Sequence, residues 1–257
     1  MTIMRAKTGL LTSWVLALAA LHPVTALAQN SSVDPQAARI MQRMTEYVGS
    51  LQTFGLVTAS TVEVVLVNGQ KIQLDSGTHL TVQRPNKLRA ERVGDVISQA
   101  LYYDGEHLTL VNPDEGYYAT VPAPGTIDAM LDFARDTLDV VAPAGDLVMN
   151  DSYARLMADV TSGFVVGKSI VNGVRCDHLA FRSLDVDWQI WIEDGAKPVP
   201  RKYIITTLDV PGSPQFDVQM NSWTTAPDVS AKQFEFAPPP GAKRIEFMPL
   251  ERTGSNP

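Results

Sequence analysis

Cysteine is almost absent: Cys176 is the single one in 257 residues. No internal disulfide can form, so packing has to hold the fold together whatever the redox state outside the cell. Positive charge is also scarce, with 21 Lys and Arg against 28 Asp and Glu and a formal net charge of −7. That balance argues against nucleic acid and against an anionic membrane surface as partners. Beyond its first stretch the chain has no apolar run of membrane length, so no stable membrane insertion is expected. It has no Gly-x-Ser-x-Gly elbow, phosphate loop or dinucleotide fingerprint. Nothing in the sequence asks for an enzyme, a metal or a cofactor.

What is present begins with a leader. Arg5 and Lys7 precede an apolar stretch from Leu10 to Leu21, and Thr25-Ala26-Leu27-Ala28 ends in the small-x-small pattern of a signal-peptidase site. The expectation is a signal peptide over residues 1–28, cleavage after Ala28 and residence in the periplasm. Loss of Arg5 and Lys7 with the leader takes the net charge from −7 to −9. No cysteine stands at the junction to carry a lipid anchor.

The remainder reads as one domain over 29–250 followed by a disordered tail at 251–257. Asp34-Pro35 starts a helix whose apolar face is Ala37, Ile40, Met41, Met44, Val48 and Leu51. From Leu56 to Val121 the pattern is strands and tight turns, with Asn68-Gly69 and Asp104-Gly105 as hairpin signals and a bulge expected at Ser76-Gly77. Strands are expected at Lys87–Val93 and Val96–Tyr103, antiparallel throughout. A helical insertion at about 126–160 interrupts the sheet: Thr126 caps one helix, a shorter piece follows Pro143, and Asp151 caps another. Strands resume at Phe164, with Asn172-Gly173 as a turn and a clear period of two through Val186, Trp188, Ile190 and Ile192. A Pro-rich connector at Ala237–Gly241 leads to a last short strand near Ile245–Phe247.

Cys176 and His178 stand two residues apart and share a strand face. They suit either half a metal site or thiol–imidazole chemistry, or else a buried thiol beside a hydrogen-bonded histidine. The last is preferred, because no further ligand stands at metal spacing. Asp128, Asp132, Asp136 and Asp139 read as the solvated face of an amphipathic helix. Met130, Leu131, Phe133, Leu138, Met149, Leu156 and Met157 put bulky, flexible side chains on the insertion. They read either as ordinary core or as an adaptable cover over a lipid-sized cavity.

The order of these elements resembles the periplasmic lipoprotein carriers and receptors of the LolA and LolB superfamily. The echoes are Met44-x-x-Tyr47 with Leu51-Gln52-Thr53-Phe54, Val82-Gln83-Arg84-Pro85-Asn86-Lys87-Leu88-Arg89, Tyr103-Asp104-Gly105, and the final Phe234–Ala242. A closer resemblance is to an uncharacterised family of predicted periplasmic proteins within that superfamily, through Cys176–Arg182, Asp187–Ile192 and Pro198–Lys202. The resemblance implies an α+β, mainly antiparallel fold: a half-open, incomplete β-barrel covered by helices, with acyl chains bound between them. It implies that Arg84, in an Arg-Pro element, helps govern closure of the cavity. Lacking an anchoring cysteine, the protein departs from LolB.

The expected function is therefore a non-enzymatic periplasmic carrier of a lipid, a lipidated protein or another hydrophobic ligand. The candidate cavity and cover residues are Arg84, Met130, Leu131, Phe133, Leu138, Leu156 and Met157, with Trp188 or, on the opposite face, Trp191. The alternative is an interaction or lipid-sensing module that meets an envelope receptor through the barrel edge or the cover. An enzyme built on Cys176 and His178 comes last.

Overall fold

A computed structural model of the chain describes residues 32–96 and 98–247; the expected leader and tail lie outside them. Helix α1 (Pro35–Ser50) starts as its sequence requires, with the Asp34 carboxylate accepting from the Gln36 N–H at 2.7 Å and Pro35 in the first turn. Its apolar face, Ala37, Ile40, Met41, Met44 and Val48, is fully buried.

Among the described residues, twelve strands form one sheet. The first meander comprises β1 (Thr53–Val65), β2 (Lys71–Gln83), β3 (Lys87–Gly94), β4 (Gln99–Tyr103), β5 (His107–Asn112) and β6 (Tyr117–Pro122). The chain then crosses the sheet as α2 (Ile127–Leu138), a 3-10 turn at Gly145–Val148 and α3 (Ser152–Met157). The second meander follows: β7 (Ser162–Val171), β8 (Val174–Arg182), β9 (Val186–Glu193), β10 (Pro200–Thr207) and β11 (Gln215–Thr225). The two are joined where β11 pairs with β1, and the short β12 (Lys243–Arg244) is added beside β6. The order β12-β6-β5-β4-β3-β2-β1-β11-β10-β9-β8-β7 does not close on itself. The result is an open, curled sheet with its helices on one face, which is the half-open barrel with a helical cover expected from the sequence.

The covered face holds two packed clusters. Helix α1, the 3-10 turn and α3 pack on β8–β11 around Leu179, Phe181, Trp188, Ile190 and Tyr203. Helix α2 packs on the first meander through Ile127, Met130 and Ala134 against Phe54, Val82, Leu88 and Tyr103. The Tyr103 hydroxyl donates to the Pro124 carbonyl at the entry to the cover, and burial pushes its pKa up to about 12.

Several local expectations are corrected. Strand β4 begins at Gln99 rather than Val96, which is exposed. Ser76-Gly77 pair in unbroken register with both neighbours, and the register breaks fall at Val57/Thr58 against β11, at Val165/Gly167 against β8 and at Pro200/Lys202 against β9. The first meander is antiparallel throughout, as expected, but the last strand is Lys243–Arg244 rather than Ile245–Phe247, and it runs parallel to β6. The long return across the outer face permits this, with Phe236 packed against Tyr102 and Tyr118. Asp151 does not cap α3, because Arg155 occupies its carboxylate at 2.7 Å. The acidic face of α2 is not wholly solvated either. Asp132 holds Arg155 through two bonds of 2.8 Å, clamping α3 to α2, and Asp128 accepts from the Asn150 N–H at 3.0 Å.

Gly163, on the β7 edge, lies opposite Phe181. A Cβ added there would stand 2.2 Å from the Phe181 ring, which is itself stacked on Trp188 at 4.2 Å and cannot retreat. Gly163→Ala is expected to destabilise the fold by about 1–3 kcal/mol through overpacking, read as a lowered midpoint in urea unfolding.

Candidate functional site

A cavity of about 370 Å³ lies between the covered face of the sheet and the segment Val141–Val148 that follows α2. Its apolar wall is built by Leu56 of β1, by Phe216, Val218, Met220 and Trp223 of β11, and by Leu147 and Val148 of the cover. Its other end is polar, with Thr58, Ser60, Thr78 and Arg92. The size falls within the range of ligand pockets, roughly 300–1,000 Å³, and a mostly apolar lining with a few polar groups is their usual chemistry.

The cover reaches the sheet here as irregular chain, and irregular chain needs partners for its backbone groups. Arg84 supplies one. Its Nη2 donates to the Val148 carbonyl at 2.8 Å and its Nε to the Leu51 carbonyl at 3.1 Å, so one side chain joins the end of α1, the sheet and the cover. The guanidinium is only 8% exposed and lies 5.7 Å above the Phe54 ring. Burial lowers its pKa, and the nearby charge of Asp128 opposes that shift. Its Nη1 is buried without a hydrogen-bond partner among the described residues.

Apart from Arg84, which ties down the cavity's rim, the expected site residues lie away from it. Met130 is fully buried in the packing of α2 on the first meander, with Leu131 and Leu138 beside it and Phe133 half-buried on the same helix. Leu156 and Met157 pack against the α1 side, and Trp188 is buried between Phe181 and Tyr203. These side chains are core, and the cavity opens where the cover changes from helix to loop. Trp191 is on the opposite face, stacked on His178 at 4.0 Å with Lys202 5.5 Å above its ring. The cavity walls on β1, β2 and β11 were missed because their strands read as ordinary alternation. The usable signal was Thr58, Ser60 and Thr78 at positions where the alternation calls for apolar residues.

Cys176 is fully buried and donates to the Val174 carbonyl at 3.5 Å. Burial is the chief cause that pushes its thiol above the ordinary range. The His178 ring stands 3.0 Å from the Gln189 side chain, and burial pushes its pKa down. Both shifts favour the uncharged forms, each group has another partner, and among the described residues no cluster of His, Cys, Asp or Glu suits a metal.

Residues 37–248 match the family model described as a predicted periplasmic protein, DUF2092. The chain belongs to the DUF2092 family. The segments that carried the resemblance in this family member are three adjacent strands, β8, β9 and the start of β10. A comparison with curated proteins gives no match. Among solved structures, an uncharacterised conserved protein from Thermus thermophilus is similar at a TM-score of 0.48 and 11% identity, over 82% of this chain and 99% of its own. LprF from Mycobacterium bovis is similar at 0.47 and 12%, over 77% and 97%. A LolA superfamily protein from Nitrosomonas europaea is similar at 0.38 and 11%, over 78% and 97%. Among the described residues no helix is long and apolar enough to cross a membrane.

Two outcomes follow from this geometry. Arg84→Met strips a donor from each of the Leu51 and Val148 carbonyls and is expected to lower stability by about 1–3 kcal/mol. Hydrogen exchange should show that loss concentrated at residues 141–150. Cys176→Ser should leave any ligand binding unchanged, and native protein should react with a thiol reagent far more slowly than unfolded protein.

Proposed function

We propose that this chain is a non-enzymatic periplasmic binding protein, exported by its leader and cleaved after Ala28, that shelters a hydrophobic ligand under its cover. The ligand is an acyl chain, free or carried by a lipidated protein. The observation that supports this reading is the apolar cavity between β1, β11 and Val141–Val148. Each methylene moved from water to such a wall contributes about 0.8 kcal/mol, so a short length of chain suffices for useful affinity. The loop that follows α2 is tied by side-chain bonds from Arg84 to Val148 and from Asp128 of α2 to Asn150, so this part of the cover can yield without unfolding the sheet. Arg84 then acts as a latch, the role the LolA resemblance implies for it.

A second reading, an envelope-interaction module, draws on the free edge of the sheet. Phe164, Val166 and Ile170 of β7 are exposed, and among the described residues β7 meets only a single bridge, Val33 to Gly163, on its outer side. An edge of this kind can accept an extended strand from a partner.

Native mass spectrometry of protein purified from the periplasm without detergent, followed by organic extraction, separates the two. A stoichiometric lipid or lipopeptide is expected. Thr58→Phe projects a ring into the cavity and should abolish binding of phenylnaphthylamine while the protein stays folded. Empty wild-type protein that also refuses this probe would move the function to the β7 edge.

A further inference from the structure

The inner face of the first meander changes character abruptly. Phe54, Val82 and Leu88 stand side by side on β1, β2 and β3, and Leu56, Leu80 and Ala90 form the next row. One row further, the register places Thr58 beside Thr78 and Thr78 beside Arg92, and then Ser60 beside Ser76. Three neighbouring strands thus turn from apolar to polar at the same level, and Thr58, Ser60, Thr78 and Arg92 all line the cavity.

Arg92 is the unusual member of that row. Arg89, Arg155, Arg182 and Arg201 each pair with a carboxylate. No ion pair among the described residues includes Arg92. Its Nε donates to the Ser76 hydroxyl at 3.1 Å, and that oxygen is 3.0 Å from the Ser60 hydroxyl. This fixes the side chain through one nitrogen and leaves the rest of the guanidinium fork for another acceptor. In a chain with a net charge of −7, a half-buried arginine without a counter-ion, set among hydroxyl donors, is a site for an anion.

We propose that the cavity binds an anionic amphiphile, with the acyl chain along Leu56, Val218, Met220 and Trp223 and a carboxylate or phosphate head at Arg92, Thr58 and Thr78. This rests on the hydrophobic-ligand reading and adds the chemistry of the ligand's polar end. The apolar wall fixes where the chain lies, and the arginine decides which end enters last.

The test is displacement of phenylnaphthylamine from the full processed chain by palmitate, lysophosphatidate, hexadecanol and inorganic phosphate. Palmitate and lysophosphatidate are expected to displace it at concentrations about tenfold lower than hexadecanol, the effect of one charge-assisted contact. Inorganic phosphate alone is expected to displace nothing. Arg92→Gln should bring palmitate to the level of hexadecanol and leave hexadecanol unchanged, while Arg92→Lys keeps most of the preference. Equal binding of charged and neutral chains by wild-type protein overturns the anionic class and leaves the carrier reading standing. Loss of hexadecanol binding in Arg92→Gln assigns the residue a structural role and overturns the proposal, as does Arg92-dependent displacement by inorganic phosphate. If no acyl compound binds wild-type protein, both readings fall together.

Discussion

Arg84 and the two carbonyls it binds are the constraint around which the covered face is arranged. A helix lies against a sheet without such help, because its backbone groups are satisfied within itself. The segment Val140–Val148 is mostly not helical, and it still has to lie against an apolar surface. A buried guanidinium solves that problem: it reaches from β2's end to Leu51 and to Val148 and converts a loop into a lid. The cost is a charge held out of water, visible in the lowered pKa, and it is offset by the two acceptors, the Phe54 ring and the field of Asp128. That bond adds to the burial of Leu147, Val148 and Met149 and to the Asp128–Asn150 contact in holding the loop over the cavity.

The same constraint explains where empty space occurs. Helices α1 and α2 fill the concave face wherever they lie on it, with Met41, Met44 and Met130 fully buried. Methionine adapts to irregular gaps, so helical cover of this composition leaves little room. The loop offers shorter side chains, Ala142, Pro143, Ala144 and Gly145, and cannot follow the curve of β1 and β11 as closely. The β-bulge at Val57/Thr58 increases the local bend at that level. Cavity, bulge and loop therefore coincide for one reason: a bent strand pair is spanned by chain with too little volume to fill it.

Much of the architecture was legible in the sequence because it rests on local chemistry. Asn68-Gly69, Asp104-Gly105 and Asn172-Gly173 each close a hairpin, with Gly69, Gly105 and Gly173 at φ of 83°, 101° and 80° where a side chain is strained. The Trp188, Ile190, Ile192 alternation points into the core as its period requires. Less legible were features set by distant contacts. No local signal tells that Lys243–Arg244 runs parallel to β6, or that Arg155 reaches across to Asp132 on α2. The residues that line this cavity were hard to single out for a related reason. Bulky apolar residues attract attention as ligand contacts, yet in a folded chain they are the residues best able to satisfy one another. A cavity is bounded by what fails to fill it, here threonines, a serine and a loop of small side chains.

The two arginines of the covered face illustrate how one residue type is put to different uses. Arg84 and Arg92 both lack a carboxylate partner among the described residues, in a chain whose acids outnumber its bases. Arg84 is buried and donates through two nitrogens to main-chain carbonyls, so its hydrogen-bonding is largely spoken for by the protein. Arg92 donates once, to a hydroxyl that is itself shared, and keeps contact with open space. An arginine committed to backbone stabilises one arrangement of the chain. An arginine held by a single serine keeps its fork free at small entropic cost, because its torsions are already restricted when an acceptor arrives. In the functions proposed for them, selection of an anionic head by Arg92 and latching of the lid by Arg84 are then separable properties, although both act on the same cavity.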